Sequence, residues 1–306
     1  MEESIVKVEH LSHRYSVQWA IRDINIEISR NGIYGLLGSN GAGKSTTMNI
    51  MCGVLKQTEG KVFIKGIDMR KHPVEAKRHI GFLPQKPPLH PDLTVEEYLK
   101  HCCNMRQMSS RQIPAAIKRV MEHCGISHFE KRLIRNLSGG YQQRVGIAQA
   151  IVHEPEFVVL DEPTNGLDPN QILEVRRLIK EIAKERTVIL STHILSEIQA
   201  TCDYIRMIEQ GSLVFEGTVD EFDNYIIPNT LVVSLAAPPA LEELQAIPGI
   251  LKVEEIGNTR YRFQFADVHE MMEKMAETCV TRGWRLKEIY LEKSSLDQIF
   301  AELSKK

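Results

Sequence analysis

A chain of 306 residues with 42% hydrophobic and 25% charged side chains has apolar material for one large domain and a smaller one. With 38 basic against 40 acidic residues the formal net charge is −2, which gives no global attraction to nucleic acid, and none is expected as a partner. No apolar stretch approaches the roughly 20 residues that cross a bilayer, so any membrane role has to come through a separate partner.

The first strands are expected where polar and apolar residues alternate, at 5–8, 24–28 and 60–66. Between them an apolar run at 33–37 reads as a buried strand, and residues 46–51 read as a helix opening. The residues joining the two are Gly38-Ser39-Asn40-Gly41-Ala42-Gly43-Lys44-Ser45-Thr46, which fit the phosphate-loop pattern G-x-x-x-x-G-K-[ST]. Glycines at 38, 41 and 43 let the backbone approach a ligand closely, so that successive N–H groups can face phosphate oxygens. Lys44 adds a full positive charge near the outer phosphates, the Ser45 hydroxyl is placed to ligate magnesium, and the helix adds its positive end. A glycine-rich turn with an accidental lysine is the plainer reading, but the flanking strand and helix argue against it.

Residues 80–85 form a short expected strand ending in Gln85. Thr94 with Glu97 three residues on marks a helix start, and the helical pattern runs to about Met108, then on in a mostly helical segment to about Glu130. Phe157-Val158-Val159-Leu160 is an apolar strand that delivers Asp161 and Glu162 at its end, as a central parallel strand does at a ligand edge. Asp161 is placed to hold magnesium through water, and Glu162 to orient or deprotonate an attacking water. Taken alone, a helix-cap or turn pair of carboxylates would read the same way. A further apolar strand at 187–192 ends at His193. The six cysteines, at 52, 102, 103, 124, 202 and 279, show no C-x-x-C pair and no preceding signal-peptide pattern, and read as reduced packing thiols of a cytosolic protein. Adjacent Cys102 and Cys103 leave a redox or metal pair open, although on a helix they face different ways.

Together these residues resemble the nucleotide-binding subunit of ATP-binding cassette (ABC) transporters, over about residues 1–220. Leu137-Ser138-Gly139-Gly140-Tyr141-Gln142-Gln143-Arg144 is similar to the family signature, a glycine-rich helix start suited to an anion. The resemblance implies an α/β fold, a P-loop NTPase of ABC type with a RecA-like core, an antiparallel β subdomain and a helical subdomain at about 86–150. The cassette would occupy residues 1–227 and a small α+β domain residues 228–306. It also implies Tyr15 on adenine, Gln85 as the Q-loop residue near magnesium and near the groove for the membrane subunit, and Asp161 and Glu162 as the Walker B pair. Asp168 would be the D-loop aspartate and His193 the switch histidine at the γ-phosphate. The catalytic set is then Lys44, Gln85, Glu162 and His193, with Ser45, Gln85 and Asp161 around magnesium. Ser39 departs from the family's common proline and leaves the loop locally less rigid.

Because the signature residues Leu137, Ser138, Gly139, Gly140 and Gln142 would cap a phosphate on the opposite protomer, one chain cannot complete its own site. A head-to-tail homodimer holding two ATP and Mg2+ is expected, docked on a separate transmembrane permease at the cytoplasmic face of the membrane. Beyond residue 228, strands at 231–235, 251–256 and 261–265 and helices at 241–246 and 268–282 suggest a β-α-β-β-α-β unit compatible with a ferredoxin-like sandwich, with a last helix from Ser295. This unit reads as a dimer-stabilising appendage or a regulatory ligand site. The ending Ser295-Leu296-Asp297-Gln298-Ile299-Phe300 is similar to the tail of drug, polysaccharide and gliding-type exporter ATPases of prokaryotes, and export rests on it. The competing expectations are a soluble ABC-type ATPase acting on ribosomes or DNA, and a nucleotide-dependent regulatory module without turnover.

Overall fold

A break in alternation shapes the first sheet. In β1 (Val6–Tyr15) the inward residues Val8 and Leu11 stand three apart, because the pairing shifts between them and His10 takes a φ of 49°. That bulge reverses the phase of the period-2 pattern, so the strand continues to Tyr15, well past residue 8. The partner β2 (Gln18–Ile28) breaks step in the same way at Asp23, also with a φ of 49°. The structure is a computed structural model describing residues 4–225, 230–257, 259–265, 271–292 and 302–303.

The chain continues through β3 (Gly32–Leu37), α1 (Lys44–Met51), β4 (Glu59–Ile64), β5 (Ile67–Asp68), α2 (Pro73–Arg78) and β6 (Ile80–Leu83). Strands β2, β1, β4 and β5 make an antiparallel sheet in that order. Where β4 begins, a Cβ on Gly60 would lie 2.4 Å from the His10 carbonyl oxygen, so only glycine lets the two strands meet at the bulge.

The helical stretch contains α3 (Val95–Met105), α4 (Ile113–His123) and, after two 3-10 turns at Ser127–Phe129 and Ile134–Asn136, α5 (Gly139–Ile151). The expected N-cap of α3 forms a full capping box. Thr94 Oγ1 accepts from the Glu97 amide, and the Glu97 carboxylate accepts from the Thr94 amide. The helix stops at Met105, short of Met108, because the chain turns out of helical geometry with Gln107 at a φ of 58°.

Next come β7 (Phe157–Asp161), α6 (Pro169–Ala183), β8 (Thr187–Thr192), α7 (Leu195–Thr201), β9 (Tyr204–Glu209), β10 (Ser212–Thr218) and α8 (Val219–Asp223). Strands β10, β9, β3, β8, β7 and β6 form one sheet, parallel throughout except for the β10–β9 hairpin. Helices cover it, so its central strands are continuously apolar, and Phe157 to Leu160 are fully buried.

Two compact units divide between Val219 and Asp220. The second unit contains β11 (Thr230–Leu235), α9 (Leu241–Gln245), β12 (Ile250–Gly257), β13 (Arg260–Phe265), α10 (Met271–Thr281) and β14 (Leu286–Leu291). Its strands lie in the order β12, β13, β11, β14, each pair antiparallel, which is the split β-α-β arrangement of a ferredoxin-like fold. Leu231, Val233, Phe263, Phe265, Met275 and Trp284 form its core. Residues 228–229, the start expected for α10 at 268–270, and the helix expected from Ser295 lie outside the described residues.

All six cysteines are free, and among the described residues no group of three or more His, Cys, Asp or Glu gathers as a metal site. Burial pushes the Cys103 thiol up to about 11 and raises the Cys102 thiol above its usual value, consistent with packing.

His153, just beyond α5, has Nε2 3.0 Å from the Ile80 carbonyl oxygen, and its Nδ1 is buried without a partner. Burial, then the Arg106 guanidinium, push its imidazole from 6.5 down to about 4. Between those values the unfolded chain holds a proton that the folded chain does not, so stability present above pH 6.5 is lost as pH falls towards 4. We expect this residue to remove roughly 2 to 3 kcal/mol over that window. In His153→Gln, which keeps a donor for Ile80, the urea midpoint should fall less steeply with acid; identical profiles would contradict this.

Candidate nucleotide site

The candidate phosphate loop connects β3 to α1 and is shaped by close approach. Gly43 caps α1 with a φ of 110°, and a Cβ there would lie 2.5 Å from Ile21 Cγ2 and 2.9 Å from the Ala20 carbonyl oxygen. A Cβ on Gly38 would lie 2.1 Å from the Ile208 carbonyl oxygen. The loop therefore nests against β2 and β9 where side-chain-bearing residues could not.

Lys44 is buried, and its Nζ donates to the carbonyl oxygens of Gly38 and Ser39 at 2.8 and 2.9 Å, folding the ammonium back inside the loop. Burial pulls its pKa below the usual lysine value, opposed by the carboxylates of Glu162, Asp161 and Glu209. Glu209, at the end of β9, accepts from the Ser39 amide at 3.2 Å and from the Ser39 hydroxyl at 2.7 Å. Sequence reasoning missed Glu209. Its only signal was Ser39 itself, since a proline there could make neither bond. Ala42 donates its amide to the Ser39 carbonyl oxygen and completes the inner turn.

Three parallel strands, β6, β7 and β8, deliver the remaining groups at their C-terminal ends. Asp161, the last residue of β7, accepts from Ser191 Oγ of β8 at 2.6 Å and faces Ser45 Oγ at 3.4 Å. The same Ser191 hydroxyl accepts from the Glu162 amide at 2.9 Å, bridging the two carboxylate residues. Glu162 takes a φ of 48°, a left-handed conformation uncommon for a residue with a side chain. Its Oε2 accepts from Gln85 Nε2 and Asn165 Nδ2, each at 2.9 Å, and its Oε1 lies 3.1 Å from His193 Nδ1. Gln85, Glu162 and His193, far apart in sequence, meet through one carboxylate.

A cavity of about 640 Å³ opens beside these groups and is lined by Gln85 and Glu162, while Asp161 and His193 lie outside its lining. Tyr15, Asn40, Gly41, Gly43, Lys44, Ser45, Thr46, Gln85 and Glu162 line it, joined by Trp19 and Gln210, which sequence reasoning did not single out. Tyr15 is 53% exposed and stands edge-on to His13 at 4.8 Å, so its ring is free to meet a planar ligand. Trp19 lies under the Arg14 and Arg22 guanidinium groups at 5.7 and 5.5 Å. The hydroxyl of Ser45 and the carboxylate of Asp161 supply the hard oxygen donors that magnesium prefers, so the residues present fit that ion.

The signature-like residues lie outside that cavity lining. Ser138 is the N-cap of α5 but makes no side-chain cap, and Gly139 is exposed with open space where a Cβ would stand. Gly140 packs on Gln171 of α6, with a built Cβ 2.5 Å from Gln171 Cδ. Leu137 is buried, and Gln142 Nε2 donates to the carbonyl oxygens of Ile134 and Leu137. Asp168 caps α6 by accepting from the amides of Asn170 and Gln171, each at 3.0 Å. The chain thus gathers the phosphate loop, Gln85, Asp161, Glu162 and His193, and leaves the signature-like helix start facing elsewhere.

The profile of the ABC transporter family matches residues 21–165. The bacitracin transport ATP-binding protein BcrA of Bacillus licheniformis is 40% identical over 215 residues, covering 70% of this chain and 69% of that protein. The lantibiotic transport ATP-binding protein SrtF of Streptococcus pyogenes is 33% identical over 221 residues, covering 72% and 93%. An ABC transporter ATP-binding protein of Bacillus subtilis, YxlF, is 28% identical over 300 residues, covering 98% of this chain and 99% of its own. Among solved structures, cbiO1 from Clostridium perfringens, part of the ABC transporter complex cbiONQ, superposes with a TM-score of 0.66 at 31% identity, over 72% of this chain and 90% of that one. A dimeric ATP-binding cassette in a post-hydrolysis state bound to ADP and Pi superposes with a TM-score of 0.64 at 26% identity, over 70% and 98%. Phosphate loop, acidic strand end and parallel sheet here coincide with extended sequence identity to such subunits, and the chain belongs to the ATP-binding, ATP-hydrolysing subunits of ABC transporters.

Proposed function

We propose that this ATPase subunit works as a head-to-tail homodimer on the cytoplasmic face of the membrane, where it powers a separate permease, and that the direction is export. The observation that carries the dimer is the separation just described: the exposed start of α5 at Ser138 and Gly139 does not line the cavity of its own chain. A helix N-terminus with free amides suits an anion, and the γ-phosphate held by a second copy is that anion. ATP would then be sandwiched twice between two chains, each supplying a phosphate loop to one site and a signature to the other. Residues 1–227 would act as the cassette and residues 228–306 as an appended domain that stabilises the pair.

Within each site we assign Tyr15 to the adenine ring and the loop from Ser39 to Thr46 to the phosphates, with Lys44 swinging from its carbonyl partners to the outer phosphates. Ser45 and Asp161 would hold magnesium, Asp161 through water, with Gln85 close by. The ion supplies charge neutralisation on the phosphate oxygens during transfer. Glu162 orients the attacking water and draws its proton, while Gln85, Asn165 and His193 keep the carboxylate aimed. Asp168 belongs to the loop that would face the partner chain.

The permease would sit on a second cavity, about 450 Å³, between α2, β6 and the end of α3. Val54, Val74 and Met105 are 64%, 65% and 72% exposed there, beside Phe82, Lys77 and Arg78. An apolar floor with a basic rim suits a short amphipathic segment carrying acidic groups. Gln85 follows Phe82 by three residues, so a partner seated here would sense the site. No helix among the described residues is long and apolar enough to cross a membrane, and a separate permease fits that. Relatives named for bacitracin and lantibiotic transport and linearmycin resistance support an antibiotic-type cargo moved outward. A role on ribosomes or DNA draws no support from a net charge of −2.

Glu162→Gln should bind ATP, lose turnover by roughly 100-fold or more, and elute as a dimer only with ATP. A variant that binds ATP yet remains monomeric at high concentration would contradict the dimer. Val74→Glu with Met105→Glu should abolish co-purification with a membrane partner while leaving ATP binding within about twofold, because neither residue lines the nucleotide cavity. Undiminished co-purification would place the permease elsewhere.

A further inference from the structure

We infer that Glu197 is a positioning residue for hydrolysis, whose buried carboxylate locks the segment after Glu162 and the segment carrying His193 into one fixed relation. This rests on the assignment of Glu162 and His193 given above. Glu197 belongs to α7, is 7% exposed, and does not line the nucleotide cavity. Each of its carboxylate oxygens is taken by a different buried threonine. Thr164 Oγ1 donates to Oε1 at 2.8 Å, and Thr192 Oγ1 donates to Oε2 at 2.8 Å.

Thr164 stands two residues after Glu162, and Thr192 immediately precedes His193. Thr192 Oγ1 also accepts from the Ile194 amide at 3.0 Å, so fixing that hydroxyl fixes the turn on the far side of His193 as well. On the other segment, Gln143 Nε2 of α5 donates to the Pro163 carbonyl oxygen at 2.8 Å, which leaves that segment little independent freedom. The nearest countercharge is Arg176 of α6, with Nη2 3.7 Å from Glu197 Oε1.

A buried carboxylate is costly unless both oxygens are paired and a positive charge stands near, and an apolar residue would pack α7 onto the sheet without that cost. What the charged group adds is geometry. Two loops leaving adjacent strands are tied through a single rigid planar group, at threonines two residues from Glu162 and one from His193, whose side chains meet at 3.1 Å. Aim of a reacting carboxylate is sensitive to such support, whereas nucleotide binding at the phosphate loop is remote from it.

The test measures magnesium-dependent ATP turnover and amide hydrogen exchange on the full chain, for wild type, Glu197→Ala, Glu197→Gln and Thr164→Val. Glu197→Ala should lower kcat roughly 10- to 100-fold and leave KM for ATP within about twofold. Exchange should rise together in residues 162–167 and 192–196 and stay unchanged in the phosphate loop. Glu197→Gln keeps the planar group and should restore part of kcat. Thr164→Val should lower kcat by a smaller factor and add nothing in the Glu197→Ala background. If Glu197→Ala fails to melt cooperatively, Thr164→Val decides: reduced kcat at constant KM supports the bracket, and unchanged kcat overturns it. Wild-type kcat in Glu197→Ala, a loss confined to KM, or faster exchange in only one segment would also overturn it. A wild-type chain without turnover would count against the assignment of Glu162 and His193, while the exchange readout would still decide the bracket.

Discussion

The site depends on the in-register parallel pairing of β3, β8 and β7. Leu37 pairs with Thr192 and Asp161 with Ser191, so the phosphate loop, the segment carrying His193 and the acidic pair leave the sheet at one level. A slip of one residue would turn every side chain to the opposite face and carry the Ser191 hydroxyl away from Asp161 and the Glu162 amide. Register is secured by burial: β7 and β8 are buried along their whole length. The chemistry at the strand ends is polar, and the apolar runs behind it decide where those polar groups stand.

Under the proposed head-to-tail dimer, that arrangement is half of an engine. Glu162 is held by three side chains, which fixes the aim of its carboxylate, whereas Lys44 is tied to two carbonyl oxygens of its own loop. The signature-like helix start is fixed to its own chain through Gly140 on Gln171, next to the Asp168 cap, yet lies apart from the cavity. In the composite site proposed above, a second chain would supply the surface that this cavity lacks.

Much of this was legible in the sequence because local chemistry and spacing agreed. The glycines of residues 38–43, the Thr94 capping box and the apolar run ending in Asp161 and Glu162 each carry their own physical reason, and each forms as expected. What was hidden depended on long-range partners. The bulges at His10 and Asp23 invert alternation and concealed how far β1 and β2 extend. Glu209 and Glu197 sit beyond any motif, and only the fold brings them to Ser39, Thr164 and Thr192. Trp19 joins the cavity across a hairpin whose length the alternation pattern had not shown.

The composite site is tested most directly by specific ATPase activity as a function of chain concentration, in magnesium and saturating ATP. A site completed by a second chain predicts activity per chain that rises in proportion to concentration when dilute and levels off as dimers fill. Activity per chain that stays constant down to the most dilute sample would mean that one chain completes its own site, and would contradict the head-to-tail engine.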